Sequence, residues 1–104
     1  MAENKKYQEA VVVMKANKII VTGKVQGVFF RQRTKQVADK LNVKGFVQNR
    51  GDGSVYIEAE AEDETMEHFI GYCKKGTPQS SVENISVSEI TVIGFTNFVV
   101  RYGD

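Results

Sequence analysis

Cysteine, proline and histidine are nearly absent: each occurs once among 104 residues, as Cys73, Pro78 and His68. A lone thiol cannot close an internal disulfide, so nothing points to an oxidising compartment. A lone imidazole without a ligand cluster gives no support to a metal site. An excess of either charge is also missing. Lys and Arg number 14 against 13 Asp and Glu, a net charge of +1. Broad attraction to nucleic acid or membranes is therefore unsupported, although a local basic site stays open. Long apolar runs are lacking too, and Ala10 to Met14 is too short for a bilayer span or a signal sequence. These absences argue against a secreted, membrane-spanning or coiled-coil protein and leave the cytoplasm as the expected compartment. What is present, 41% hydrophobic and 26% charged residues, suits one soluble domain. A chain of this size buries roughly 60–70% of its unfolded surface, enough for a core without staples.

No repeat or low-complexity tract divides the chain. Residues 1–15 open with the polar run Ala2-Glu3-Asn4-Lys5-Lys6 and read as an N-terminal extension of low order, with the domain proper over 16–104. Ala10 to Met14 either extends the next strand or forms a short arm. Asn17 to Thr22 is β-branched and predicts a strand. Phe30, Val37, Ala38 and Leu41 fall on one helical stripe, with Asn42 as the stop. Val43 to Gln48 and Ser54 to Glu60 read as two strands joined by the turn Asn49-Arg50-Gly51-Asp52-Gly53. In the second, Val55, Ile57 and Ala59 are expected inward and Tyr56, Glu58 and Glu60 outward. Asp63 is the expected cap of a second helix carrying Met66, Phe69, Ile70 and Cys73 on its apolar stripe and Lys74, Lys75 and Gly76 at its end. Val82 to Tyr102 is β-rich, broken near Gly94-Phe95-Thr96-Asn97. The order β-α-β-β-α-β plus a terminal strand predicts an α+β, ferredoxin-like sandwich: an antiparallel sheet with two helices on one face.

Fold alone assigns no activity. The informative stretch is Gly23-Lys24-Val25-Gln26-Gly27-Val28-Phe29-Phe30-Arg31. A loop leaving a strand and entering a helix presents backbone N–H groups that the helix cannot satisfy, and the helix terminus favours negative charge. Gly27 permits close approach of an anion, and Arg31 offers a planar fork of donors suited to phosphate or carboxylate. The alternative is a plain loop with a solvated arginine. No Gly-Lys-Ser/Thr follows, so this is not a Walker-type loop.

Val21 to Arg31 resembles the first signature of the acylphosphatase family, and Gly45-Phe46-Val47-Gln48-Asn49-Arg50-Gly51-Asp52-Gly53-Ser54-Val55 is similar to its second. The similarity extends over about Ala16 to Tyr102. It implies a hydrolase that splits carboxyl–phosphate anhydrides into a carboxylate and inorganic phosphate. The resemblance makes Arg31 the substrate-binding catalytic arginine and Asn49 the catalytic asparagine. The backbone of Val25, Gln26, Gly27, Val28, Phe29 and Phe30 becomes the phosphate-binding loop. It implies no metal or organic cofactor, a monomer, and inorganic phosphate as product and competitive inhibitor. No nucleic-acid or membrane partner is expected. The alternative is a phosphate- or acyl-phosphate-binding module of the same fold without turnover. Two positions depart from the family pattern: Phe29, where the family is often small or variable, and Ala61, where it usually has glycine.

Other features read blandly. Arg50-Gly51-Asp52 spells an adhesion tripeptide but sits in a turn. His68 is a solvated helix residue, Cys73 is core, and Lys74-Lys75 is a helix end. Lys44-Gly45-Phe46-Val47 matches only part of an RNA-recognition strand motif, without its second aromatic pair. The acidic stretch Glu58, Glu60, Glu62, Asp63, Glu64 and Glu67 is expected to coat a face away from the site.

Overall fold

The computed structural model describes residues 13–102. Most of the expected N-terminal extension, including Ala10–Val12, lies outside the described residues. The elements are β1 (Met14–Lys24), α1 (Phe30–Leu41), β2 (Lys44–Asn49), β3 (Val55–Glu62), α2 (Asp63–Lys75), β4 (Ser81–Ile90) and β5 (Phe98–Arg101). They form one five-stranded sheet in the order β4-β1-β3-β2-β5, with both helices packed on one face. The β2–β3 hairpin forms in the register Asn49↔Val55.

The sheet is mixed, not antiparallel throughout. β5 runs parallel to β2, with Phe46↔Val99 and Gln48↔Arg101 in register. The reason is the route of the chain. β4 descends on one edge, residues 91–97 cross the end of the sheet, and the chain turns upward beside β2 on the opposite edge. A buried carboxylate holds the crossing. Glu60 is 2% exposed and accepts N–H donors from Ile93 (2.6 Å), Gly94 (3.1 and 3.2 Å) and Phe95 (2.8 Å). The expectation that Glu60 points to solvent is therefore corrected. Alternation puts it on the face without helices, but the crossing segment covers it there, and three amides replace its water. The acidic stretch is thus broken, with Glu62, Asp63, Glu64 and Glu67 exposed.

The core is where the alternation of β1, β2 and β3 meets the helical stripes. Ile19, Val21, Val47, Val55 and Ile57 are fully buried against Phe30, Ala38, Phe69 and Cys73. Burial pushes the Cys73 thiol far above its ordinary range, as for an inert core thiol. Val37, Leu41 and Ile70 are partly buried at the margins. Thr34 also lies in the core, four residues from Phe30. Its hydroxyl is satisfied by Phe30 O at 2.7 Å and the Tyr72 hydroxyl at 2.9 Å. Asn42 ends α1 as expected, in the left-handed region, with its N–H bonded back into the last turn. Asp63 does not cap α2. Glu62 precedes the helix, and Asp63 and Glu64 occupy its first turn, where the dipole favours acid. Ala61 is a buried strand residue, not part of a turn.

Candidate active site

β1, β2 and β5 all run in the same direction, because β1 and β2 are each antiparallel to β3 and β5 follows β2. Their C-terminal ends therefore emerge at one edge of the sheet, where α1 begins. That edge holds a cavity of about 220 Å³ lined by Val25, Gly27, Phe29, Phe30, Arg31, Gln32, Asn49 and Tyr102. The cavity thus brings together the predicted loop, arginine and asparagine.

Residues 25–29 link β1 to α1. Val25 and Val28 anchor the loop in the core, 1% and 6% exposed, and the buried Thr77 hydroxyl donates to Val28 O at 3.3 Å. Between and after these anchors the backbone enters the left-handed region twice, at Gly27 (φ +72°) and Phe29 (φ +62°). A Cβ at Gly27 meets no protein atom within 4 Å, so a side chain there is opposed by φ and not by the protein around it. Among the described residues, no N–H of residues 26–29 donates to a backbone carbonyl. Successive amides of a curved loop, left unspent at a helix N-terminus, form a concavity suited to an anion.

Arg31 sits in the first turn of α1. Its Nη1 donates to Arg101 O at 3.2 Å, and its guanidinium lies 4.7 Å from the centre of the Tyr102 ring. The end of β5 thus orients the fork from behind while other N–H groups stay available. Asn49 ends β2 with its Oδ1 buried and unpaired among the described residues. A buried acceptor without a donor is costly for the fold and marks a place where function calls for one.

The Gln26 side chain turns away from the cavity. Its Nε2 donates to Arg50 O at 2.7 Å and to Ser54 O at 2.8 Å, tying the loop to the hairpin turn that follows Asn49. That turn is closed by its own residues. Asp52 Oδ1 accepts from Ser54 N at 2.9 Å and Ser54 Oγ at 2.6 Å, and these bonds hold the Asp52 carboxyl below its ordinary range. Arg50 lies over Tyr56, 4.1 Å from the ring centre. The adhesion-like tripeptide is thus engaged within its own turn.

Sequence reasoning missed Tyr102, Gln32 and the side-chain role of Gln26. Gln26 lay within the quoted signature, but a donor aimed at a distant hairpin leaves no local pattern. Tyr102 could have been reached only from the register Gln48↔Arg101, which sets it level with Asn49. Among the described residues the cavity lining has no carboxylate, imidazole or thiol, and the amides, guanidinium and carboxamide it does present suit anion recognition. Away from it, His68 is exposed on α2 as expected. Among the described residues, no three His, Cys, Asp or Glu side chains gather as metal ligands, and no helix is long and apolar enough to cross a membrane.

Comparison with known proteins places this geometry. The family model described as Acylphosphatase matches residues 17–100. The chain is 47% identical over 89 residues to an acylphosphatase of Thermotoga petrophila, covering 86% of this chain and 99% of that protein. The crystal structure of acylphosphatase from Bacillus subtilis superposes with a TM-score of 0.82 at 40% identity, over 86% of this chain and all of that one. A full-length HypF, solved in a phosphate- and nucleotide-bound form, matches 90% of this chain at 34% identity with a TM-score of 0.78, but over only 12% of its own length. On the family match and these likenesses across nearly its whole sheet and both helices, the chain belongs to the acylphosphatase family.

Proposed function

We propose that Arg31, Asn49 and the backbone of residues 25–30 carry out the acyl phosphate hydrolysis of this chain. An acyl phosphate is an activated anhydride with a good leaving group, so its catalyst has no need of a covalent nucleophile. It must hold the phosphoryl oxygens, neutralise their charge and place water in line. The free loop amides and the Arg31 fork do the first two. The unpaired Asn49 Oδ1 accepts a hydrogen bond from the water and aims its oxygen at phosphorus. The new P–O bond forms as the bond to the carboxylate oxygen breaks. The carboxylate leaves with its electron pair, and the proton of the water passes to a phosphoryl oxygen. Asparagine cannot take that proton at neutral pH, and among the described residues the lining offers no other base.

The observation that carries this reading is the convergence of Asn49's unpaired oxygen, the Arg31 guanidinium and the loop amides on one cavity. The same cradle would bind inorganic phosphate as product and competitive inhibitor. We take the working unit to be the domain expected over residues 16–104, a monomer in the cytoplasm, with its first strand reaching back through Lys15 and Met14 into the expected extension. The likeness to a short part of HypF favours one second reading, a module of this fold that binds phosphate without turnover.

Benzoyl phosphate hydrolysis in chelator, wild type beside Arg31→Ala and Arg31→Lys, separates the two. Rapid turnover is expected. Each substitution should lower kcat/KM by at least about 10²-fold, the scale of one lost oxyanion-type donor. Lysine should fail nearly as badly, since a point charge cannot reproduce a fork. Phosphate binding by a folded but inactive wild type would establish the module reading instead.

A further inference from the structure

Phe29 costs the fold twice. It holds a left-handed backbone, φ +62° and ψ +19°, that side chains other than glycine, asparagine and aspartate rarely adopt. The residue is 67% exposed. It stands at the N-cap of α1, where a short polar side chain would bond the free amides, and it makes no such bond. Stability alone favours glycine or asparagine at this position. Strain and exposure that the fold does not use, found at a cavity wall, point to the ligand.

The second ring at this wall is that of Tyr102, 73% exposed. These two are the only aromatics among the large exposed apolar side chains of the described residues; the others are aliphatic and lie elsewhere. Val25 and Phe30 also line the cavity, but both are 1% exposed and spent in the core. With the phosphoryl group in the loop amides, the acyl group must leave the cavity past its walls. The apolar surface it meets there belongs to Phe29 and Tyr102. We infer that Phe29, with Tyr102, forms an acyl subsite that selects phosphates of carboxylic acids with extended apolar or aromatic acyl groups over those with short or polar ones. This rests on reading the cavity as the acyl phosphate site. Phe29 acts there through its side chain, as a specificity-determining residue, separately from its amide in the cradle.

Acetyl and hexanoyl phosphates test this, because their leaving groups differ in apolar length and scarcely in acidity. Wild type should favour hexanoyl phosphate by about tenfold in kcat/KM, the low end of what apolar contacts discriminate. Phe29→Gly and Phe29→Asn suit the left-handed backbone, so both should fold with a Tm at or above that of wild type. In each, the hexanoyl-to-acetyl ratio should collapse to within about twofold of unity, with the change carried by KM. A contact made equally before and during reaction acts on binding and not on turnover. The ratio is the readout because damage to the cradle affects both substrates alike. Equal kcat/KM for the two substrates in wild type overturns the inference, as does a ratio in both variants within twofold of wild type. A folded wild type that hydrolyses neither substrate overturns the underlying reading of the cavity instead.

Discussion

Glu60→Gln has a cost that follows from its hydrogen bonds. One carboxylate oxygen accepts from Ile93 and Gly94, the other from Phe95 and Gly94. Glutamine keeps the shape but offers one oxygen and one NH₂ group. Whichever way the amide turns, either the Ile93 or the Phe95 N–H then faces a donor. That buried N–H loses its acceptor, at about 1–3 kcal/mol, and the surviving bonds lose their charge assistance, about 1 kcal/mol more. No cavity is created, so no packing term adds. The expected loss is about 2–4 kcal/mol, which at ~4–8 °C per kcal/mol lowers Tm by about 8–32 °C. Urea unfolding followed by circular dichroism at neutral pH measures it. The crossing segment delivers β5, and β5 carries the carbonyl and ring behind Arg31, so kcat/KM of the folded variant should drop only severalfold. A stability loss below about 1 kcal/mol would refute the reasoning, showing that the three amides find water without cost.

Asn49→Ala should depress kcat by about 10²-fold or more while the inhibition constant of inorganic phosphate moves less than threefold, since its partner is water. An equal loss of phosphate affinity would assign it to the phosphoryl group. Gln26→Met, similar in shape but without donors, should lower kcat about tenfold by loosening the loop from the turn after Asn49. In an Asn49→Ala background it should cost little further, because the two act on one water; full additivity would refute the coupling. Burial holds the Tyr72 proton up to about pH 12 against an ordinary 10.0. The folded protein keeps this proton where the unfolded chain has lost it. Stability is therefore full below pH 10 and falls as pH rises toward 12. Tyr72→Phe should shrink but not remove the fall in urea midpoint between pH 9 and 11, because the similarly raised Tyr56 and the buried Cys73 thiol contribute to the same fall.

What the sequence determined by itself is local or carried by signature. Phe30, Ala38 and Leu41 fix a helix face because three or four residues bring a side chain back to the same side. Val55, Ile57 and Ala59 fix a strand face because two residues do. Asn42 and the Asn49–Gly53 turn stop the elements where their backbone chemistry demands. Arg31 and Asn49 were legible because the loop and the turn that present them are short motifs with recognisable residues. The ends of β1 were not legible, since Met14 and Lys15 become strand by pairing with Glu62 and Ala61, partners far along the chain. Nor was the fate of Glu60, whose alternation is correct but whose face is covered by residues 91–97.

Only the tertiary structure decided which distant groups meet. The parallel seating of β5 sets Tyr102 level with Asn49 and its carbonyl neighbour behind Arg31. Gln26, two positions past the end of β1, finds its acceptors in a hairpin on the other side of α1. Such contacts depend on strand order and direction, set by how the whole chain closes its core. A periodic pattern reports only which side of an element is apolar, and so it names the parts of this site without assembling them.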